Sequence, residues 1–472
     1  MKYKFLTIVF LTGIILSWSC QGPEQATDNN VYITGKILNY EKHKDVKSLD
    51  IYLSDLFEFQ RIIGVDIDNT GAFKATLPCY FINDFLLRFD KASAFVICEP
   101  GDSLVLTIDA NVLNDSQNHY HSSFIKVISG TRVEDNKPVN YFLKRIGRLV
   151  PYSERRKAVK ELEPFEFYNY RSELYNKKND ISDSIFKTTG TEIFRLWSKD
   201  LLKYDKLENL IRYPKFHSKY NNVSMDSVNI PDEYYDRIFS DNINENEVLS
   251  LKHYYFLQSY YVYLFQEASR KGVDADEYIV KNATGFSKDV ALAKYFYDLV
   301  KNADTAVDFN VDLIENKVIK NLLIETIHAE QVKKTDLLKG ELHSVFIDSL
   351  FSNYKGKVVY VDFWATWCGP CLAAMPDSKI LQERYKDKPV EFLFLCVQSR
   401  RNEWKRIIKE KGLTGTHLLL TGDRFAEFRR IFNIGGVPHY ILVNKQGGFI
   451  NNVPRPGDKK IINKIDRLLN AN

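Results

Sequence analysis

Two cysteines separated by two residues, in Trp367-Cys368-Gly369-Pro370-Cys371, are the residues of this chain best placed to do chemistry. They follow directly on the apolar run Val358-Val359-Tyr360-Val361-Asp362-Phe363, a pattern that predicts a strand feeding into a helix. Two thiols so spaced close into a small, reversible disulfide. The first then sits at the helix N-terminus, where unpaired N–H groups and the helix dipole favour thiolate over thiol. Such placement takes a cysteine pKa from about 8.5 into a range of roughly 3.5 to 7.5, so a nucleophile exists near neutral pH. The chemistry predicted is thiol–disulfide exchange.

Half of a thiolate zinc site is the competing reading, and it wants a second ligand pair further along the chain. Beyond Cys371 there is only Cys396, inside the apolar run Phe392-Leu393-Phe394-Leu395-Cys396-Val397, together with the isolated His417 and His439. A purely structural disulfide is the other alternative. Redox exchange is preferred over both and requires no metal and no cofactor.

The segment Val361-Asp362-Phe363-Trp364-Ala365-Thr366-Trp367-Cys368-Gly369-Pro370-Cys371 resembles the active-site strand, turn and helix of thioredoxin. The resemblance extends over residues 336–472. Pro376 falls where that family kinks its active-site helix. Gly435-Gly436-Val437-Pro438-His439, leading into Tyr440-Ile441-Leu442-Val443, matches the loop in which the family carries a cis-proline against the disulfide. Val390–Val397 supplies the intervening strand, and Ser399–Leu413 the connecting helix of a βαβ unit.

The resemblance assigns roles. Cys368, exposed at the helix start, is expected to attack the substrate disulfide, and Cys371, a turn deeper, to resolve it. Asp362 corresponds to the family's buried carboxylate, a base for Cys371 whose pKa desolvation raises; an ordinary strand-end aspartate is the alternative. Trp367 would shield the thiolate and offer a flat contact surface, whereas Trp364 reads as packing. Pro438, if cis, would hold Val437 so that its backbone pairs with a substrate strand. His439 departs from the family, which usually has a small polar residue there. A solvent-facing structural histidine is expected, with modulation of the thiolate charge as the alternative.

The N-terminal end bears on the compartment. Met1-Lys2-Tyr3-Lys4 is basic, and Phe5–Trp18 is an apolar run too short to span a bilayer comfortably. It reads as a secretory signal, and Ser17-Trp18-Ser19-Cys20 resembles a bacterial lipoprotein signal in which Cys20 becomes the lipid-bearing first residue. Ordinary signal cleavage is the alternative. Residues 1–20 are thus expected to be the leader and 21–30 a polar tether.

At 472 residues the chain exceeds what one hydrophobic core serves, so several domains are expected. A net charge of +4 from 65 basic and 61 acidic residues shows none of the basic excess of a nucleic-acid binder. Six cysteines are too few for a disulfide framework in a chain this long. Cys79, Cys98 and Cys396 are left as buried free thiols, a Cys79–Cys98 pair being the alternative. Period-2 alternation with turns at Asp68-Asn69-Thr70-Gly71 and Pro100-Gly101-Asp102 marks seven short strands and predicts a β-sandwich over 31–132. Tyr254, Leu257, Tyr261 and Leu264 recur at helical spacing, and an α-helical region is expected over 138–335. Within it the polar stretch Lys177–Asp183 reads as a loop. His119 and His121 read as surface residues.

The fold class predicted is therefore multidomain: an N-terminal β-sandwich, an α-helical middle region and a C-terminal α/β thioredoxin-like domain over 336–472. The whole chain resembles the TlpA/ResA-like group of exported thioredoxins of the Bacteroidetes. The resemblance implies a membrane-tethered, periplasm-facing oxidoreductase acting on protein or peptide disulfides. Gly369-Pro370 resembles reducing thioredoxins, and reduction would draw electrons from a membrane thiol carrier of the DsbD or CcdA kind. An oxidase or isomerase using the same dithiol, and a ligand-binding lipoprotein with a secondary redox domain, are the alternatives.

Overall fold

The computed structural model of the protein describes residues 28–44, 46–57, 61–90, 92–111, 125–240, 248–302, 309–339, 345–432 and 434–471. Cys20 and the leader, like His119 and His121, lie outside the described residues.

The first strands form two sheets. β1 (Asn30–Leu38), β4 (Ala72–Pro78), β7 (Ser103–Asp109) and β8 (Ile125–Gly130) assemble in the order β4-β1-β7-β8. β2 (Ser48–Leu53), β3 (Arg61–Asp66), β5 (Ile82–Phe89) and β6 (Ala92–Cys98) assemble in the order β3-β2-β5-β6. Alternation along the strands turns Val31, Ile33 and Ile37 of one sheet and Ile51, Phe85 and Leu87 of the other into a single shared core. β8 escaped the sequence reading because most of its residues are exposed, which leaves no alternation to detect.

β6 ends its sheet, and an unpaired edge strand is a liability. Here the side chains of Asn136 and Asn140, one helical turn apart, cover it. Asn140 accepts from Phe95 N–H and donates to Phe95 O, both at 2.9 Å. Asn136 accepts from Ile97 N–H at 2.7 Å and donates to Ile97 O at 3.0 Å. The middle of the chain is helical, with long helices at Pro164–Thr189, Glu192–Ile211, Leu251–Lys271, Gly285–Asn302 and Lys317–Lys339. A two-residue strand, β9 (Val248–Leu249), adds in parallel to β5 and ties this region to the sheet.

Lys177–Asp183 is not a loop; it lies inside the helix Pro164–Thr189. The stretch contains neither glycine nor proline, and Leu174, Ser182 and Ile185 are buried at helical spacing, so the polar residues are the outer face of an amphipathic helix.

The C-terminal region is thioredoxin-like. β10 (Val358–Trp364), β11 (Val390–Cys396), β12 (Thr416–Leu419), β13 (His439–Val443) and β14 (Phe449–Ile450) form one sheet in the order β12-β11-β10-β13-β14. β10, β11 and β12 are parallel, whereas β13 and β14 are antiparallel to their neighbours. Five helices, Val345–Ser352, Gly369–Tyr385, Arg401–Lys411, Gly422–Phe432 and Lys459–Asn470, accompany the sheet among the described residues. Every residue of β10 is buried, as a central strand covered on both faces must be. Arg429 of the helix Gly422–Phe432 reaches Asp50 of β2 at 3.5 Å, joining this region to the first.

Candidate active site

β10 delivers the chain to the site. After Trp364 the backbone turns, with Cys368 N–H donating to Ala365 O at 3.1 Å, and Cys368 becomes the N-cap of the helix Gly369–Tyr385. Pro370 stands in the first turn, where its missing N–H costs nothing because those donors have no partner within the helix. The N–H of Cys371 donates to Cys368 Sγ at 3.2 Å. That bond, with the dipole behind it, is what stabilises charge on the first sulfur once the bridge opens.

Cys368 and Cys371 are joined by a disulfide, with their Cα atoms 5.3 Å apart. Cys368 is only 3% exposed, which corrects the expectation that it stands open at the helix start. The carbonyl oxygen of Val437 lies 3.5 Å from its sulfur, and the pair belongs to the core of the domain. The Val437–Pro438 bond is cis. Pro376 lies inside the helix, as the sequence predicts.

Trp367 is exposed at the site, at 61% accessibility, as are Pro370 and Pro438. Its indole N–H donates to Gln398 O at 3.0 Å, which pins the ring beside the disulfide. Ser399 completes this support: its hydroxyl donates to Val397 O at 2.8 Å and accepts from Thr366 N–H at 2.9 Å. Gln398 and Ser399 were missed by the sequence reading. Their one available signal is position, just past the C-terminal end of the strand beside β10, where open α/β sheets place their sites.

Asp362 sits within β10, 3% exposed, paired in register with Phe394 on one side and Tyr440 on the other. Its Oδ1 has no hydrogen-bond partner. Burial alone pushes its pKa up to about 8, since removal from water penalises the carboxylate form. Cys396, opposite Trp364 in the next strand, is a third thiol close to the site. Burial pushes its pKa up to about 11, so it stays a thiol where Cys368 and Cys371 exchange.

His439 is not solvent-facing. It is buried, and its Nε2 meets Asn451 Oδ1 at 2.8 Å, while Asn451 donates to Phe432 O at 2.8 Å. Its position at the start of β13, directly across from Phe363, turns it into the core. Trp364 is fully buried and packs, as expected. Among the described residues no cluster of three or more histidine, cysteine or acidic side chains is placed to hold a metal.

Residues 348–464 match the family model described as Redoxin. The chain is 33% identical over 110 residues to the thiol-disulfide oxidoreductase ResA of Geobacillus kaustophilus, covering 23% of this chain and 58% of that protein. It is 32% identical over 96 residues to ResA of Oceanobacillus iheyensis, covering 20% and 48%. The chain thus spans about half the length of these curated relatives. A solved thioredoxin domain of a thiol-disulfide oxidoreductase from Bacteroides vulgatus is 28% identical, with a TM-score of 0.24, covering 25% of this chain and 84% of that one. A CxxC disulfide capping the helix after a buried central strand, together with the family match, makes the C-terminal region of this chain a thioredoxin-like Redoxin domain.

Proposed function

We propose that this protein is a membrane-tethered, periplasm-facing thiol–disulfide oxidoreductase that reduces protein disulfides through Cys368 and Cys371. The observation that carries the reading is the Cys368–Cys371 bridge at the helix N-terminus, with Cys371 N–H donating to Cys368 Sγ. In the reduced protein the Cys368 thiolate attacks a substrate disulfide, forming a mixed disulfide and releasing one substrate thiol. Asp362, its pKa near the working range, takes the proton of Cys371. The Cys371 thiolate attacks Cys368 Sγ, the second substrate thiol leaves, and the bridge is restored. Two electrons pass to the substrate, and a membrane thiol carrier of the DsbD or CcdA kind returns them. Trp367, Val437 and Pro438 form the surface on which the substrate strand lies.

The rest of the chain is read as a lipid anchor at Cys20, a tether over 21–30, a β-sandwich-like domain over 31–132 and a helical region over 138–335. The core shared by the two N-terminal sheets supports the sandwich. Among the described residues no helix is long and apolar enough to cross a membrane, so the tether rests on the leader. Reduction of a disulfide-bonded peptide by the full chain, with dithiothreitol as donor, tests the activity. Turnover should disappear in Cys368→Ser; wild-type turnover in that variant would overturn the proposal. Equilibration with glutathione tests the direction. A potential nearer about −270 mV supports reduction, and one nearer about −120 mV supports oxidation.

A further inference from the structure

A second pair of thiols lies far from the first. Cys79 follows the last residue of β4, and Cys98 is the last residue of β6, so the two belong to opposite sheets of the N-terminal region. Both are buried and free. Their sulfurs face each other at 3.9 Å. The backbone on both sides is held: Cys79 N–H donates to Asn29 O at 2.8 Å, and Cys98 is paired with Asn83 across the sheet. The Cys79 thiol itself points at Phe81 O, 3.1 Å away.

The surroundings of the two differ in one respect. Cys79 lines a cavity of about 880 Å³ that runs between β2, β3, the helix Lys317–Lys339 and the helix Gly422–Phe432. Phe57, Tyr80 and Phe81 give it apolar wall, and six carboxylates among its lining residues, against Lys47, Arg61 and Arg429, make that lining acidic on balance. Cys98 is not among its lining residues and stands behind Cys79. The volume is that of a small-molecule site. A folded protein cannot bring its own disulfide to a thiol so enclosed, whereas a small cationic disulfide fits both the space and the acidic lining.

We propose that Cys79 and Cys98 are a second redox dithiol, closed into a cross-sheet disulfide by a low-molecular-weight disulfide that enters through this cavity. The Cys79 thiolate attacks one sulfur of the small disulfide, forming a mixed disulfide and expelling one small thiol. The Cys98 thiolate then attacks Cys79 Sγ, and the second small thiol leaves. Two protein thiols are oxidised to one disulfide and the small disulfide is reduced to two thiols, so electrons and protons balance. The sulfurs must approach from 3.9 Å to about 2.05 Å, a movement available to side-chain rotation at two such short residues. Burial and the hydrogen bond with Cys79 hold the Cys98 thiol well above its usual pKa. The hydrogen bond is lost once Cys79 is in the mixed disulfide, so burial alone slows the second step near neutral pH, and the step quickens with rising pH. Closure would staple the two sheets through a loop that carries β5, independently of the state of Cys368 and Cys371.

The test uses the full chain, reduced and then exposed to excess cystamine, a small cationic disulfide, at mildly alkaline pH for a day. Remaining thiols are alkylated under denaturing conditions and the protein is digested without reduction. Peptide mapping should find Cys79 and Cys98 joined, more slowly than Cys368 and Cys371. Recovery of both as alkylated free thiols, after the Cys368–Cys371 bridge has closed completely, would overturn the proposal. The order of attack is read in two variants checked for native circular dichroism. Cys98→Ser should accumulate one cysteamine on Cys79, and Cys79→Ser should leave Cys98 unmodified. Cysteamine on Cys98 in the latter would refute Cys79 as the entry thiol. Should either variant fail to fold, the wild-type map still decides whether the bridge forms, and neither result depends on catalysis at Cys368.

Discussion

A carboxyl group buried without a hydrogen-bond partner on one of its oxygens is costly to ionise inside the C-terminal domain. Asp362 binds its proton more tightly in the folded chain than in the unfolded one, with a pKa moved from 3.8 to about 8. The folded state is therefore at its relative best below pH about 4. Stability declines as the pH rises from there to about 8, where the carboxylate must form inside the core. At about 1.4 kcal/mol per unit the penalty approaches about 6 kcal/mol above pH 8. Asp362→Asn removes the charge while keeping the shape. Urea midpoints of the wild type should fall more steeply between pH 5 and 9 than those of the variant, in which Asp84 and Asp102, their pKa values raised by burial to about 7 and about 6, still titrate. Parallel profiles would mean that Asp362 does not titrate in the fold. If the residue also serves Cys371, the same variant should release a preformed mixed disulfide more slowly, read by quenched-flow mass spectrometry. His439 shows how little a residue type says without its partners: it was readable as a surface histidine, yet Asn451 and the strand pairing hold it inside.

At the scale of elements, the parts legible in the sequence are those whose signal is local. β10, the helix start at Cys368 and the interior Pro376 are each written within a few consecutive residues. Supports that depend on two distant elements meeting were not legible. Ser399 belongs to β11's loop but serves Thr366 on the loop after β10, and only the parallel register of the two strands brings them together. The same holds for β9, two residues long, which no periodicity could mark before β5 was seen beside it. The helix Pro164–Thr189 was misread over Lys177–Asp183 because local polarity outweighed a sparse buried stripe. The Ser399 bridge gives a specific expectation. Ser399→Ala leaves Thr366 N–H without this acceptor in a half-buried loop, and should lower stability by about 1 kcal/mol in urea unfolding. Because Thr366 precedes Trp367, turnover should fall severalfold while alkylation of reduced Cys368 keeps its rate. Unchanged turnover would show that the bridge only stabilises the loop.

Across the whole molecule, three regions meet around one cavity. The edge of the N-terminal sheets, the helix Lys317–Lys339 and the thioredoxin-like domain all line it. The Arg429–Asp50 pair crosses the junction, and being partly exposed it contributes about 0 to 1 kcal/mol, too little to fix the arrangement by itself. Burial does more. Trp197 of the helical region donates its indole N–H at 2.6 Å to Asp84 of β5, and Leu251 N–H meets the same carboxyl at 3.1 Å. These contacts were beyond the reach of sequence alone, since each partner lies in a different region and neither carries a motif. The redox centre is nonetheless self-contained in the C-terminal region, and the account stands or falls on its first step. Cys371→Ser in the full chain, mixed with a disulfide-bonded peptide and analysed by intact mass and peptide mapping, measures that step directly. The account predicts a stable covalent adduct through Cys368. An unmodified protein, or an adduct carried only by another cysteine, would contradict it.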